Sequence, residues 1–308
     1  MAAAILQAVS PRLPDRDLDA ATVAHLVAAQ FPGLAGGAVR RLGAGWDNEL
    51  FSVGSEWIFR FPKRSERVPW LRREVAIMTA VGEVMGALVP RFDFIGEPSR
   101  RFPYPFVGYR RLPGVGADQA RVTDPACLAG EIGRALSHLH QVDPTRIPAT
   151  PAGPEAEAWR SARERLISVA GAVRPWLAND LLEKAEPYLV GAIPEPAQAG
   201  PRRFIHNDIC PDHLLVDPDT GHLTGLIDFT DAIVGDPVHD FVGLIGIGDR
   251  AFTGQVLASY DQPLGDSFAV KLSWLTRVLT LTWLAEAAAD DPDDVPKHLT
   301  WVGRAFAE

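Results

Sequence analysis

The stretch from residue 204 to residue 244 constrains the fold more than any other part of the chain. It contains two short apolar runs, 213–216 and 223–227, on either side of a polar turn with a proline and a glycine. Apolar runs of this length around such a turn predict a β-hairpin. An acidic residue stands at each end of the predicted hairpin, Asp208 in the preceding loop and Asp228 at the close of the second strand.

The order of polar groups around this hairpin is the order found in the catalytic signature of protein kinases. That signature has an Asp in a loop, a metal-binding Asn five residues later, and a second metal-binding Asp after a hairpin. Here His213 stands five residues after Asp208, and Asp228 closes the hairpin. Turn chemistry explains a single loop aspartate, but not three polar residues in register with one hairpin. Farther along, Asp240 is expected to brace the loop by accepting its backbone N–H groups.

This stretch resembles the aminoglycoside phosphotransferase family of kinase-like enzymes, whose loop usually reads His-Gly-Asp, then Asn, then Ile-Asp-Trp or Ile-Asp-Phe. The run His206-Asn207-Asp208, followed by His-Leu-Leu, is most similar to the 2″-aminoglycoside phosphotransferases, and macrolide phosphotransferases share the His in place of Asn. The resemblance implies that Asp208 is the catalytic base and that His213 and Asp228 hold Mg²⁺. A carboxylate can orient a hydroxyl and accept its proton while other side chains hold the metal on the phosphates.

Upstream of this stretch, the sequence predicts a small antiparallel sheet. A helical pattern over residues 17–30 is followed by three apolar runs between residues 39 and 61, separated by glycine-bearing turns. Strands joined by such turns form hairpins, and in kinases the first hairpin covers the nucleotide. Gly43 and Gly45 are therefore predicted nucleotide-binding residues, although glycines in a hairpin are also explained by a positive φ alone.

Three further residues are predicted to serve nucleotide binding. Arg60 lies on the third strand, where kinases place a Lys that holds the phosphates and pairs with a helical Glu. Arginine can grip phosphate bidentately, although the two cations are not interchangeable. Glu74, in a helix predicted from about 69 to 81, is the candidate partner of Arg60. The alternative is that Glu74 is an ordinary helical carboxylate exposed to solvent. Arg111 opens the segment 111–114, which is predicted to be the hinge between two lobes.

The rest of the sequence is mainly helical. Amphipathic patterns recur from residue 124 to residue 190 and again after residue 238. At 308 residues the chain is long enough for two lobes. We therefore predict an α+β, two-lobed, protein-kinase-like fold. A small antiparallel-sheet N-lobe with a leading helix spans residues 1–112, and a mainly helical C-lobe with the catalytic loop and acceptor site spans residues 113–308.

Charge is divided unevenly along the chain. Residues 1–115 carry 15 Lys and Arg against 11 Asp and Glu, a net +4, whereas residues 116–308 carry 15 against 28, a net −13. A basic first lobe suits a polyphosphate and an acidic second lobe suits a cationic acceptor, although solubilising surface charge explains the same distribution. The overall charge of −9 argues against nucleic acid as a partner.

Cysteine content and hydropathy indicate a cytoplasmic protein. Cys127 and Cys210 are the chain's two cysteines, and their spacing indicates neither a disulfide framework nor a zinc site. The apolar N-terminus lacks the basic segment of a signal peptide, and no apolar run approaches the roughly 20 residues that span a bilayer. We expect no membrane partner and a monomer or weak dimer.

Candidate acceptor-binding residues follow the hairpin. Asp231 lies three residues after Asp228, and Trp283 and Glu286 belong to an acidic segment in which residues 278–296 contain no Lys or Arg. Carboxylates beside aromatic rings suit a polyamine, since each ammonium group needs an anionic acceptor. Core tryptophans and a solvated acidic loop explain the same pattern.

With the resemblance, these residues predict a small-molecule kinase that uses Mg²⁺ and transfers the γ-phosphoryl group of ATP or GTP to a hydroxyl. The first acceptor is a cationic antibiotic of the aminoglycoside class, and a macrolide or other small molecule is the alternative. Two other classes stay open. The first is a nucleotide-binding relative without catalytic activity, in which Arg60 and His213 stand where active kinases have Lys and Asn. The second is a metallohydrolase in which His206, Asp208 and His213 are the metal ligands.

Overall fold

The computed structural model describes residues 13–45, 47–148, 158–197 and 200–307. Helix α1 (Ala20–Gln30) leads into the first sheet and begins at Asp19, whose carboxylate accepts a hydrogen bond from the Thr22 N–H (2.7 Å). Such a cap satisfies one of the backbone donors that a helix leaves unpaired at its start. The helix predicted over residues 17–30 is therefore present, and its first helical residue is Ala20.

The first sheet contains β1 (Val39–Ala44), β2 (Asn48–Val53), β3 (Trp57–Pro62), β4 (Phe92–Gly96) and β5 (Phe106–Arg110). They lie in the order β1-β2-β3-β5-β4, and every neighbouring pair is antiparallel. The core under this sheet includes Phe59, Phe61 and Phe106, all fully buried, with Val23 and Leu26 of α1. Alternating apolar residues thus place one face of the sheet against α1.

Helix α2 (Val68–Met85) follows β3 and carries Glu74 on its buried side. It extends one turn beyond the predicted end at residue 81, because Val81 and Met85 continue the buried stripe. Gly86, at φ 58°, ends the helix in a conformation that glycine adopts without steric cost.

The later part of the chain is mainly helical. Its helices are α3 (Pro125–Leu139), α4 (Ala158–Val173), α5 (Asn179–Leu189), α6 (His239–Val242), α7 (Arg250–Ala258), α8 (Phe268–Asp290) and α9 (Val295–Phe306). Helix α8 packs against α4 on one side and α9 on another, and its buried residues Leu281 and Leu284 belong to the second core. Being covered on several sides, α8 is apolar around much of its circumference.

Short strands carry the predicted hairpin. Strands β8 (Leu214–Val216) and β9 (Leu223–Leu226) pair antiparallel, and β6 (Val115–Gly116) pairs with β8. Strand β7 (Arg203–Ile205) pairs with β10 (Ile233–Gly235). The hairpin prediction is confirmed, except that its first strand begins at Leu214 because residues 211–213 form a 3₁₀ turn.

The chain leaves the first sheet after Arg110 and joins the hairpin at Val115. The predicted division into residues 1–112 and 113–308 stays a prediction. Within the described part of the chain, no helix combines the length and apolar content that crossing a bilayer requires.

Candidate active site

Asp240, in α6, holds the loop that follows β7 by its backbone. Its carboxylate accepts hydrogen bonds from the N–H groups of His206 (2.8 Å) and Asn207 (2.6 Å), and is 2.9 Å from Nε2 of His140. Burial alone would raise the pKa of Asp240, but the hydrogen bond from His140 and the charges around it lower that pKa. The predicted bracing role of Asp240 is confirmed.

His206 ties the same loop to the end of the hairpin. Its Nε2–H donates to the carbonyl oxygen of Ile227 (2.9 Å), and its Nδ1 accepts from the N–H of Asp208 (3.3 Å). Burial lowers the pKa of this imidazole, which fits a neutral ring with one donor and one acceptor nitrogen. Since both nitrogens are engaged by backbone groups, His206 has no free lone pair for a metal, and the metallohydrolase interpretation loses a ligand.

Two residues of the site adopt a left-handed backbone. Asn207 and Asp228 both have φ 66°, a region that Asn and Asp enter more readily than other residues bearing a Cβ. Asn207 is held there by its N–H bond to Asp240 and by its side-chain amide, which donates to the carbonyl oxygen of Asp231 (3.2 Å). Positive φ at non-glycine residues is a form of local strain that concentrates at functional sites.

Asp208, His213 and Asp228 converge as the sequence spacing predicts. Nδ1 of His213 donates to the backbone carbonyl of Asp208 (2.8 Å) and lies 3.5 Å from its Oδ2. Nε2 of His213 lies 3.8 Å from Oδ2 of Asp228. Burial raises the pKa of Asp208 to about 6, the carboxylates of Asp231 and Asp228 add to the rise, and His213 opposes it. An aspartate at this pKa is ionised at neutral pH and remains basic enough to accept a proton.

His213 sits between two carboxylates, and its charge follows from that position. Burial alone would lower its pKa, but contact with Cys210 and the charges of Asp208 and Asp228 raise it well above the usual range. The imidazole is therefore cationic, and a metal ion bound through Nε2 must displace one proton. Metal affinity at this position is expected to increase with pH.

Arg60 connects the first sheet to the hairpin. Its guanidinium donates to Oε1 of Glu74 (2.7 Å), to Oδ1 of Asp228 (3.2 Å) and to the hydroxyl of Thr230 (3.0 Å). The hydroxyl lies 3.1 Å from Oε2 of Glu74 and 2.8 Å from Oδ1 of Asp228, so it can donate to one of them at a time. Burial would lower the pKa of Arg60, but Glu74 and Asp228 raise it, so the side chain stays charged.

The donor atoms at the hairpin end suit a divalent cation. Oδ1 of Asp228 is engaged by Arg60 and Thr230, whereas Oδ2 faces Nε2 of His213. Burial would raise the pKa of Asp228, but Arg60 and His213 lower it, which keeps the carboxylate ionised. Mg²⁺ uses one or two carboxylates together with phosphates and waters. The carboxylate of Asp228 therefore fits this ion, whereas the imidazole of His213 is not a donor that Mg²⁺ prefers, and the metal-binding role of His213 stays a prediction.

Gly43 and Gly45 lie at the end of β1, in the hairpin predicted to cover the nucleotide. Among the described glycines, those with positive φ stand elsewhere, so the backbone explanation does not apply to this pair. A Cβ on Gly43 would meet no atom within 4 Å, which leaves open space on that side of the strand. Arg111 is exposed, and its N–H donates to the carbonyl oxygen of Glu56 (2.7 Å). No contact of these three residues identifies a nucleotide site, and their roles stay predictions.

The acceptor candidates occupy two regions. Asp231 follows the hairpin directly, and its carbonyl joins the catalytic loop through Asn207. On α8, Trp283 contacts Trp301 edge to face, with ring centroids 6.1 Å apart, and Glu286 forms an ion pair with Arg165. The absence of cations near Glu286 in the sequence therefore does not leave this carboxylate unpaired, because a cation from α4 reaches it. The acceptor roles of all three candidates stay predictions.

Sequence reasoning missed two side chains that organise the site. Thr230 is the third residue of the run Asp228-Phe229-Thr230, where kinases have Asp-Phe-Gly, and a hydroxyl in place of that Gly was the available signal. His140 follows the last residue of α3, and its ring bonds Asp240 and the hydroxyl of Tyr260 (2.7 Å). These partners lie 100 and 120 residues away in sequence, so no local pattern indicates them.

The fold and this arrangement of side chains define a kinase-like protein. A profile described as "Phosphotransferase enzyme family" matches residues 38–271. The chain belongs to this family. The resemblance and the two-lobed α+β fold predicted from the sequence are thereby confirmed.

Individual proteins are similar to this chain in sequence or in fold. The uncharacterized protein YcbJ of Bacillus subtilis is 27% identical over 226 residues, which cover 70% of this chain and 71% of that protein. The GDP complex of aminoglycoside 2′-phosphotransferase-IIIa superposes with a TM-score of 0.70 and 25% identity, covering 94% of this chain and 98% of that one. Macrolide 2′-phosphotransferase MphH of Brachybacterium faecium superposes with a TM-score of 0.62 and 22% identity, covering 90% of this chain and 97% of that one. This likeness shows a similar fold.

Proposed function

We propose that the protein is a small-molecule kinase that transfers the γ-phosphoryl group of ATP or GTP to a hydroxyl of an antibiotic, with an aminoglycoside as the first acceptor. Asp208 is the base that orients and deprotonates the hydroxyl. Asp228 and His213 hold Mg²⁺, which when bound neutralises charge on the phosphates. Arg60, positioned by Glu74, contacts the phosphates, with Gly43, Gly45 and Arg111 as further nucleotide-binding residues.

One observation carries this proposal: the guanidinium of Arg60 contacts both Glu74 and Asp228. Kinases require the strand cation to pair with a helical Glu while the hairpin Asp faces the phosphates. Here residues from three separate parts of the chain meet around one guanidinium, beside an Asp208 whose pKa is about 6. This combination is the one that phosphoryl transfer requires of the strand cation, the helical carboxylate and the hairpin carboxylate.

Support for a cationic acceptor comes from charge and from relatives. The chain after residue 115 has a net charge of −13, which attracts polycations. One relative of 25% identity was solved with GDP and kanamycin bound, and kanamycin is the kind of acceptor we propose. Asp231, Trp283 and Glu286 are the proposed acceptor residues. Glu286 can serve only if an ammonium group competes with Arg165 for its carboxylate.

The test is nucleotide consumption with Mg²⁺ against a panel of aminoglycosides, macrolides and simple amino alcohols, with ATP and GTP in parallel. We expect turnover on an aminoglycoside. Asp208→Asn should reduce this turnover by about 10²- to 10⁴-fold, the range that a positioned base contributes, while nucleotide affinity stays within a few-fold.

The macrolide and silent alternatives give different results in the same assay. Turnover on a macrolide alone would contradict the aminoglycoside as acceptor and support a macrolide, while the protein would still be a kinase. Nucleotide binding without consumption on any acceptor, in both wild type and Asp208→Asn, would contradict the kinase assignment and favour the silent relative.

A further inference from the structure

A second group of metal-ligand side chains lies outside the site described above. Cys127 and Glu131 of α3 and His222 of the β8–β9 turn bring one sulfur, one oxygen and one nitrogen together. Sγ of Cys127 is 3.7 Å from Nδ1 of His222 and 3.9 Å from Oε1 of Glu131, and Nδ1 and Oε1 are 2.6 Å apart. Cys127 and Glu131 are partly buried, and His222 is exposed.

Local structure fixes each of these ligands in place. Residues four apart in a helix share one face, which aligns Cys127 with Glu131. The N–H of Cys127 is tied to the capping carboxylate of Asp124 (3.0 Å). Oε2 of Glu131 accepts from the N–H of Leu223 (2.7 Å), so the carboxylate is oriented with Oε1 toward the other two ligand atoms. Second contacts of this kind hold ligands in position at protein metal sites.

We propose that Cys127, Glu131 and His222 form a binding site for Zn²⁺ that joins the start of α3 to the β8–β9 turn. Thiolate, imidazole and carboxylate together are a donor set that Zn²⁺ accepts, whereas Mg²⁺ prefers oxygen alone. The sequence spacing of the two cysteines did not indicate this site, because its ligands lie 91 and 95 residues apart.

The spacing of the ligand atoms agrees with tetrahedral zinc. Bonds of about 2.3 Å to sulfur and about 2.0–2.1 Å to nitrogen and oxygen separate tetrahedral ligand atoms by about 3.3–3.6 Å. Two of the three separations are 3.7 and 3.9 Å, and the third opens from 2.6 Å when the imidazole–carboxylate hydrogen bond is replaced. Three protein ligands leave a fourth position for water.

Binding changes the protons at these groups in a defined way. The thiol of Cys127 has a raised pKa, caused by desolvation and by the carboxylates of Glu131 and Asp124, so its proton is released to solvent when sulfur binds the ion. Nδ1 of His222 can bind the ion when the ring carries its proton on Nε2. One proton per ion is therefore released.

The test uses the full-length protein, stripped of metal and titrated with Co²⁺ as a spectroscopic substitute for Zn²⁺. We expect a thiolate-to-cobalt absorption band at one equivalent, displaced by Zn²⁺. Cys127→Ser should abolish the band, and His222→Gln should weaken affinity tenfold or more. Cys210→Ser is the matched control, because Cys210 lies with Asp208 and His213 in the other cluster of possible ligands; it should retain the band.

A thermal measurement tests the same site without a spectroscopic metal. Zn²⁺ should raise Tm in the wild type and in Cys210→Ser, but not in Cys127→Ser, whose metal-free Tm reports whether it folds normally. A band that persists in Cys127→Ser, a band that disappears only in Cys210→Ser, or no band in the wild type would each overturn the proposal. These outcomes do not depend on phosphotransferase activity.

Discussion

Asp208 is the proposed base, and in that role its charge would decide whether an acceptor hydroxyl can lose its proton. Because its pKa is raised to about 6, the ionised form dominates above that pH and disappears below it. At saturating Mg²⁺, which removes the pH dependence of metal binding at His213, we expect kcat/KM to be level above pH 7 and to fall by about tenfold per pH unit below pH 6. Steady-state kinetics with the nucleotide–Mg²⁺ complex as substrate, repeated across this pH range, measure kcat/KM. A kcat/KM that stays level down to pH 5 would contradict the prediction.

Thr230 offers a second test at the same scale. Its hydroxyl accepts from Arg60 and lies within reach of two carboxylates, so Thr230→Val leaves a buried guanidinium N–H without this acceptor. We expect the free energy of unfolding to fall by about 1–2 kcal/mol and the KM for nucleotide to rise, both measurable by denaturant titration and steady-state kinetics.

Thr230→Ser is the control, since it keeps the hydroxyl. It should restore most of the stability and the KM. If the Ser and Val variants behave alike, the hydroxyl is not what positions Arg60.

Sequence reasoning found the residues whose chemistry and spacing form a motif. Asp208, His213 and Asp228 were predicted to converge and do so, and the predicted pairing of Arg60 with Glu74 is present. It did not find Arg165 beside Glu286, because these residues lie 121 positions apart. Such a pairing depends on how α4 packs against α8, which no local periodicity encodes.

At the scale of elements, Lys271 of α8 anchors the segment that follows the hairpin. Its ammonium group is fully buried and forms an ion pair with Asp236. Lys271→Met leaves the Asp236 charge in a largely apolar setting, and we expect the free energy of unfolding to fall by about 3–5 kcal/mol. Urea denaturation of the wild type and variant measures the difference.

An exposed pair provides the matched control for this substitution. Lys297 and Asp294 lie 3.6 Å apart with much of both side chains in solvent. Lys297→Met should therefore cost less than about 1 kcal/mol. Equal losses for the two lysine variants would show that the Lys271 pair is not distinguished by its burial.

Element boundaries show where the sequence is informative and where it is not. The ends of the hairpin strands were predicted to within one residue, because the turn residues mark where β8 ends and β9 begins. The end of α2 was placed a turn too early, since the sequence after residue 81 contains two glycines that suggest a stop. Burial of Met85 extends the helix to Gly86, and tertiary packing of this kind overrides local propensity.

For the whole molecule, the division of charge predicts how the rate depends on salt. The chain after residue 115 has a net charge of −13, and screening lengths fall from about 30 Å at 0.01 M salt to about 8 Å at 0.15 M. We expect kcat/KM for a polycationic aminoglycoside to fall about tenfold or more over this range. Steady-state kinetics at several ionic strengths measure it.

An acceptor of lower charge, such as a singly charged amino alcohol, is the comparison for this experiment. Its kcat/KM should change much less with salt, since fewer charges are screened. The same slope for both acceptors would mean that the acidic surface keeps the protein soluble and does not guide the acceptor.

The double contact of Arg60 affects how α2 and the end of the β8–β9 hairpin are aligned. One arm of its guanidinium holds α2 through Glu74, and the other holds the hairpin end through Asp228. Protein atoms alone make both contacts, so the alignment of α2 with the hairpin end is a property of the folded chain. A lysine carries one ammonium group on a flexible stem, so it would hold these two elements less rigidly than the planar guanidinium does. The arginine is therefore a fixed link between α2 and the hairpin end, and replacing it is expected to release both contacts together.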